Sequence, residues 1–414
     1  MSIRQLSSSF ALAAVASTLN LAIAGDWAQT SAPTNSWSAV AMSADGTKIT
    51  AVAQGNVLDG QIYLSVDAGV TWQPAGAPPA RWDSVASSAD GMKLVASGTA
   101  GVWTSGDFGF TWVLRTNFSF RSLASSADGA RLVGAGAGGF NIYTSTNSGA
   151  FWSPASGVGT CVASSADGTK LVTAYFAYPG FLLGGIFTST DAGLTWRQTS
   201  APLDLTTGWN SLASSAEGKE LAATIGYTDW PTGPGRIYAS RDGGDTWHAT
   251  GSPVSFWNSI ACSADGIKLV AGGSLGVFTS LDSGTNWTWN TNVPSGLRTW
   301  VASSTDGNKL VAAVNGGGIW IWAASLPPIR SPVEAVEDLI HLVENSALPP
   351  YRQHPLLESL QAAATTFERG QTGAGVNQLH AFENKVEAQV ARLHPILAQQ
   401  LTDSAETIVT SLTP

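Results

Sequence analysis

Cysteine is nearly missing from this 414-residue chain, which has only Cys161 and Cys262. Two cysteines cannot build the dense disulfide framework of a small secreted fold, and no Cys or His spacing suits a metal ion. No cofactor is implied either. Charged residues are also scarce, at 12% of the chain, and their balance is acidic, with a net charge of -9. Affinity for phosphates needs clustered Lys and Arg that release counterions, so nucleic acid is excluded as a partner. Apolar runs long enough to suggest a membrane are confined to residues 1-24. There Arg4, the mostly apolar or small stretch Phe10 to Ile23 and the Ala22-Ile23-Ala24 site have the form of a secretory signal cleaved after Ala24. Ser17, Thr18 and Asn20 interrupt that stretch, against a spanning helix. No membrane span is expected in the mature chain, which is expected outside the cytoplasm, secreted, periplasmic or at the cell surface.

Glycine and tryptophan, by contrast, are abundant, at 45 and 17 residues. Such a mixture suits many short strands joined by tight turns, with large rings filling the space between stacked sheets. Length alone suggests two or three domains at about 100 to 200 residues each, but an internal repeat overrides that estimate. A phrase close to S-A-D-G recurs seven times, with its acid and glycine at Asp45-Gly46, Asp90-Gly91, Asp128-Gly129, Asp167-Gly168, Glu217-Gly218, Asp265-Gly266 and Asp306-Gly307. Small and apolar residues alternate before it, as in Trp209 to Ser214, and a β-rich run such as Lys170 to Ala174 follows. Asp-Gly between two such runs is a strong hairpin signal, because glycine accepts the positive φ of a tight turn. The phrase is therefore the turn from strand A to strand B of a four-stranded unit.

A second phrase alternates with the first. It runs Ser65 to Trp72, Ser105 to Trp112, Ser145 to Trp152, Ser189 to Trp196, Ser240 to Trp247 and Ser280 to Trp287, on the pattern S-x-D-x-G-x-T-W. This pattern resembles the Asp-box of BNR-type repeats, found in sialidase-like, sortilin-like and photosystem-assembly propellers. The resemblance implies a β-propeller in which each box is the turn from strand C to strand D. Its acid, here Asp67, Asp107, Asn147, Asp191, Asp242 or Asp282, would bind nearby backbone amides, and its Trp would pack between blades. Asn147 and Phe151 depart from the pattern in the third copy and Asn286 in the sixth, which predicts looser hairpins there.

The ends of the array set the blade count. After the seventh A–B turn only two further strands appear before Leu326-Pro327-Pro328, with no box. Trp27-Ala28-Gln29-Thr30-Ser31-Ala32-Pro33 matches Trp196-Arg197-Gln198-Thr199-Ser200-Ala201-Pro202, which places the N-terminal strand as strand D of the last blade. The fold expected is an all-β seven-bladed propeller over residues 25-327, closed by that strand and leaving no open gap. In this register Cys161 and Cys262 fall on inner strands of the fourth and sixth blades, too far apart to bond.

From Ser331 the hydrophobic period lengthens to that of a helix, and residues 328-414 read as a small all-α domain of four helices. The first follows Pro332, the second covers about Pro355 to Arg369, the third about Val376 to Arg392 and the fourth about Pro395 to Leu412. The stretch Gly370 to Gln389 resembles the FIMAH-type C-terminal domain of extracellular bacterial proteins.

Few acids remain outside the repeated turns: Asp26, Asp59, Asp83, Asp204, Glu220, Asp229 and Asp245. The arginines do not form the cluster a sialidase needs. A paired-carboxylate glycosidase would require convergence of Asp204 and Asp229 within about 5 to 9.5 Å. Binding is the leading expectation. Propellers present ligands where D–A and B–C loops emerge, and the long loops cluster in the fourth and fifth blades. They carry the candidates Tyr175, Tyr178, Phe181, Tyr227, Asp229 and Trp230, with Asp204 and Trp209 between them. Aromatic faces and a few acids suit a glycan or a peptide. A further aromatic set, Trp37, Trp82, Phe120, Trp209 and Trp257, precedes five of the seven turn acids by eight residues, with Gly159 and Arg298 as the exceptions, and its regularity argues for packing between blades. The competing functions are a glycoside hydrolase and an extracytoplasmic assembly factor.

Overall fold

The computed structural model describes residues 26-55, 60-137, 139-175, 184-202, 208-226, 234-323, 332-344, 346, 348-392 and 395-412. Tyr178, Phe181, Asp204, Tyr227, Asp229 and Trp230 lie outside the described residues, as do Asp59 and residues 1-25. Two compact units divide the chain, a sheet unit and a helical unit.

Among the described residues the sheet unit is a seven-bladed β-propeller of seven four-stranded antiparallel sheets. Blade 4 is typical, with strand A at Cys161–Ser164, B at Leu171–Tyr175, C at Gly185–Ser189 and D at Arg197–Gln198. Strand B is buried throughout, whereas strand D is exposed, which is why the inner strands are runs of small and apolar residues and the outer ones polar. The last blade takes strand D from the N-terminus: Trp27 pairs with Trp322 and Gln29 with Trp320.

Each A–B turn is held by its own serine and acid. In blade 4 Ser165 Oγ donates to Asp167 Oδ1 at 2.6 Å, Thr169 N–H donates to the same oxygen at 3.0 Å, and Lys170 N–H donates to Ser165 Oγ at 3.0 Å. Blade 5 has Glu217 in place of aspartate, and there Ser215 Oγ turns instead to Glu220 Oε2 at 3.1 Å. The turn glycine serves two needs. Gly168 has φ +70°, and a Cβ there would stand 2.7 Å from Arg131 of the preceding blade. The same position in all seven blades receives a side chain from the blade before, so positive φ and close approach both require glycine.

A closed ring of backbone hydrogen bonds joins these turns. Ala44 N–H donates to Ala89, Ala89 to Ala127, Ala127 to Ala166, Ala166 to Ala216, Ala216 to Ala264, Ala264 to Thr305 and Thr305 back to Ala44, all at 2.7 to 2.8 Å. Each bond is worth only about 1 kcal/mol net, but the ring ties every blade to both neighbours.

The C–D turns are built as locally. Asp191 accepts from Ser189 Oγ at 2.8 Å and from Thr195 N–H at 2.9 Å, and Trp196 Nε1 donates to Gly193 O at 3.1 Å. The sixth turn is not looser, because Asn286 Nδ2 donates to Asp282 Oδ2 at 2.7 Å and replaces the threonine hydroxyl. The third keeps the two bonds to Asn147 Oδ1 from Ser145 Oγ and Phe151 N–H, each 2.9 Å, and has no hydroxyl at position 151. The Trp of each turn packs in an inter-blade cluster, Trp72 between blades 7 and 1 and Trp247 between blades 4 and 5. Cys161 and Cys262 are both free thiols.

The helical unit contains, among the described residues, α1 (Pro332–Glu344), α2 (Pro350–Glu368), α3 (Thr372–Gln389) and α4 (Pro395–Leu412). Its core includes Leu339, Leu360, Phe367, Phe382, Val386 and Leu401. Helix α2 starts five residues earlier than its sequence pattern suggests. Pro350 occupies the first turn, where a missing N–H costs nothing, and Pro355 lies within the helix. Helix α3 begins at Thr372, ahead of the apolar run that signals it. No described helix is long and apolar enough to cross a membrane.

Candidate functional site

The site begins with a bulge. In blades 1, 2, 5 and 6 strand A opens on a fully buried Trp, at 37, 82, 209 and 257, and the ladder to strand B slips by one residue immediately after it. The ring is fixed in the inter-blade core, so the extra residue is turned out of register, a common way to re-aim a side chain beside a functional site. The residues placed in this way are Ser38, Asp83, Asn210 and Asn258.

Together with Arg121, Thr160 and Arg298 from the other three blades, they line a cavity of about 310 Å³ at the mouth of the central channel. The mouth opens on the face from which the D–A and B–C connections leave. Just inside it, serine hydroxyls clip one inner strand to the next: Ser84 Oγ accepts from Leu123 N–H at 3.0 Å, Ser122 from Val162 at 3.2 Å, Ser211 from Ile260 at 3.2 Å and Ser259 from Val301 at 3.1 Å. Ala39, Cys161 and Trp300 stand at the same position in the remaining blades. The rim is thus set on a rigid inner ring.

Asp83 is the one carboxylate lining this cavity among the described residues. Burial pushes its pKa up, and the Arg81, Gln54 and Arg121 side chains oppose that rise. Gln54 Nε2 donates to Asp83 Oδ1 at 2.9 Å, and Arg81 Nε lies 3.5 Å from the same oxygen. Asn210 spends its amide hydrogens on the carbonyls of Trp257 and Asn258, at 3.0 and 3.2 Å, which leaves its oxygen as an acceptor. Arg121 and Arg298 are exposed at the rim. Cys161 is buried, and that burial raises its pKa to about 12, so it is no nucleophile at neutral pH.

Two of the sequence candidates are packing residues. Trp209 is fully buried in the cluster between blades 4 and 5, because it belongs to the aromatic set that anchors strand A. Tyr175 ends strand B of blade 4 with its ring stacked on Phe187 at 5.8 Å and edge-on to Phe140 at 6.0 Å. Neither ring is presented to a ligand. The polar column at the bulge forms no motif in the sequence because its members share no residue type. The detectable signal was their position, one residue after the anchoring aromatic, where the repeats disagree most.

The fold can be compared with solved structures. No family model matches the chain, and no curated protein matches it by sequence. A Kuenenia stuttgartiensis hydrazine synthase chain superposes with TM-score 0.54 at 15% identity, covering 72% of this chain and 97% of that one. YCF48 from Cyanidioschyzon merolae gives 0.53 at 14%, covering 72% and 98%. An ancestral GH74 enzyme gives 0.54 at 16%, covering 72% of this chain and 46% of the enzyme. What they share is the propeller. Identities this low carry the fold and no activity.

Proposed function

We propose that this protein is an exported, non-catalytic recognition module of the Asp-box repeat type, which holds a glycan or a protein segment at the channel mouth. The observation that carries this reading is the composition of the mouth. Among the described residues, guanidinium, amide and hydroxyl groups from seven inner strands surround one carboxylate, Asp83, which is already engaged by Gln54 and Arg81. Such a rim donates and accepts hydrogen bonds in a fixed geometry, whereas glycoside hydrolysis requires two carboxylates acting together. Export is supported by the pattern of residues 1-24, and the helical unit is read as an accessory domain of the FIMAH type.

The test is a glycan array and a cell-envelope protein pull-down run beside a polysaccharide hydrolysis screen. A ligand bound by the wild type and weakened about 5- to 150-fold by Arg121→Ala, the range of a single anchoring contact, is the expected result. Turnover of any polysaccharide by the wild type would overturn the non-catalytic reading. Undiminished binding by an Arg121→Ala, Asn258→Ala double variant would remove the ligand from the mouth.

A further inference from the structure

On the mouth face the connection into blade 6, the B–C turn of that blade and the connection out to blade 7 are laced together. Ser274 N–H donates to Phe256 O at 3.0 Å and Gly296 N–H to Ser274 O at 2.6 Å, while Ser255 exchanges backbone hydrogen bonds with Gly235 of blade 5 at 2.9 and 3.0 Å. The hydroxyls of Ser255 and Ser274 stand 3.3 Å apart.

Each of the three segments carries one exposed aliphatic side chain beside a laced residue. Val254 precedes Ser255, Leu275 follows Ser274 and Leu297 follows Gly296, with exposures of 48, 42 and 42%. The lacing draws their backbones together, so they form one patch. Among the described residues the other exposed large apolar side chains on this face, Phe118 and Val158, stand across the ring at the ends of blades 2 and 3. The repeat does not require an apolar residue here: Leu297 stands where blades 1, 2, 3 and 5 have Ser36, Arg81, Ser119 and Gly208. Segments that are already ordered lose little freedom when a partner covers them, and covering the patch removes apolar surface from water.

The patch is continuous with the channel mouth, because Leu297 is followed directly by Arg298, which lines the cavity. An aliphatic group and a guanidinium therefore adjoin. The charges of the mouth favour an acid, since among the described residues Arg121 and Arg298 line it against one carboxylate, Asp83, which Gln54 and Arg81 already engage. Sugar rings stack on aromatic faces, whereas the three exposed side chains of the patch are aliphatic. A polypeptide meets both demands, with an aliphatic and an acidic side chain side by side.

We infer that the ligand held at the mouth is a polypeptide segment with an aliphatic residue beside an acidic one, and that Val254, Leu275 and Leu297 form the subsite for the aliphatic side chain. The inference rests on the mouth being the binding site, as proposed above. A random dodecapeptide phage library selected on the immobilised full chain tests it, with the enriched peptides synthesised with blocked ends and measured by calorimetry. The expected consensus has Leu, Ile, Val or Met next to Asp or Glu. Leu275→Ser combined with Leu297→Ser should weaken such a peptide by about tenfold or more, the scale of one buried aliphatic side chain, at an unchanged melting temperature. Arg298→Glu should reject it and, in a fresh selection, favour Lys or Arg at the acidic position. Failure to enrich any peptide over an unrelated bait overturns the inference, as does a consensus without the aliphatic residue. Arg121→Ala separates the two readings. If it weakens the peptide and the double serine variant does not, the mouth stands and the patch falls; if only the serine variant does, the patch stands as a peptide site and the mouth falls; if neither does, both fall. A glycan or a phosphatidylcholine vesicle bound by the wild type and lost from the double serine variant would assign the patch to a sugar or a lipid surface and overturn the peptide.

Discussion

The backbone N–H of Thr305 donates to the carbonyl oxygen of Ala44 across 2.8 Å. These residues belong to the last and first A–B turns, and with this bond the inner ring of the propeller is complete. The outer edge of the same blade is completed by a different segment, the strand Trp27–Gln29. Inner and outer closure therefore rest on residues from opposite ends of the array.

Loss of the outer closure should be costly. Trp27 is 5% exposed and packs in the cluster of blades 6 and 7 with Val277, Val293 and Leu310. Trp27→Ala is expected to cost about 3 to 5 kcal/mol, the usual range for removing a buried Trp. Urea denaturation followed by intrinsic fluorescence measures it. Removing residues 26-33 should lower the midpoint further, and an unchanged midpoint would contradict closure by this strand.

A pair of substitutions in blade 4 separates backbone strain from packing. Gly168 has φ +70° with Arg131 pressed against it, whereas Ala192 has φ +58° as a non-glycine residue. Gly168→Ala should destabilise the protein by more than the roughly 1 to 2 kcal/mol of a left-handed alanine, because a clash adds to it. Ala192→Gly should raise the melting temperature. A fall in melting temperature on Ala192→Gly would show that the conformational freedom gained by the unfolded chain outweighs the relieved strain.

Much of this architecture was legible because each blade repeats the same local chemistry. Asp167 and Asp191 act on their own turns, so a single copy of each phrase contains its own explanation, and seven copies of the first with six of the second fix the register. The displaced Trp27 strand could be placed for the same reason. The bulge column was not legible, since Asp83, Asn210 and Asn258 are selected by what they face and not by what holds them. Helix α2 begins earlier than its apolar pattern because Pro350 fits the first turn, where a missing N–H costs nothing, and Pro355 is accommodated within the helix. Trp209 was misassigned because an aromatic next to a long connection reads equally as anchor or ligand contact.

Acid should unfold the propeller through its turns. Hydrogen bonds lower the pKa of Asp167, Asp191 and Asp242 to about 2, with Ser165, Thr195 and Thr246 the leading donors. A carboxyl whose folded pKa lies below its unfolded value, near 3.8, adds stability that is complete above that value. The contribution disappears as the pH falls from about 4 towards 2. The urea midpoint should drop over that window. Asp191→Asn, which copies the natural Asn147, should make the drop shallower, and a midpoint flat from pH 5 to 2 would exclude this origin.

The pairing of Trp27 with Trp322 has a mechanical consequence. Trp27, at the start of strand D, and Trp322, at the end of strand C, lie at the same end of one antiparallel pair. Tension applied between Asp26 and Ala323 loads the cross-strand bonds one after another, beginning at Trp27, and never all together in shear. Pulled from its two flanks, the propeller yields first in its last blade, by unzipping, while the ring of inner turns is still intact.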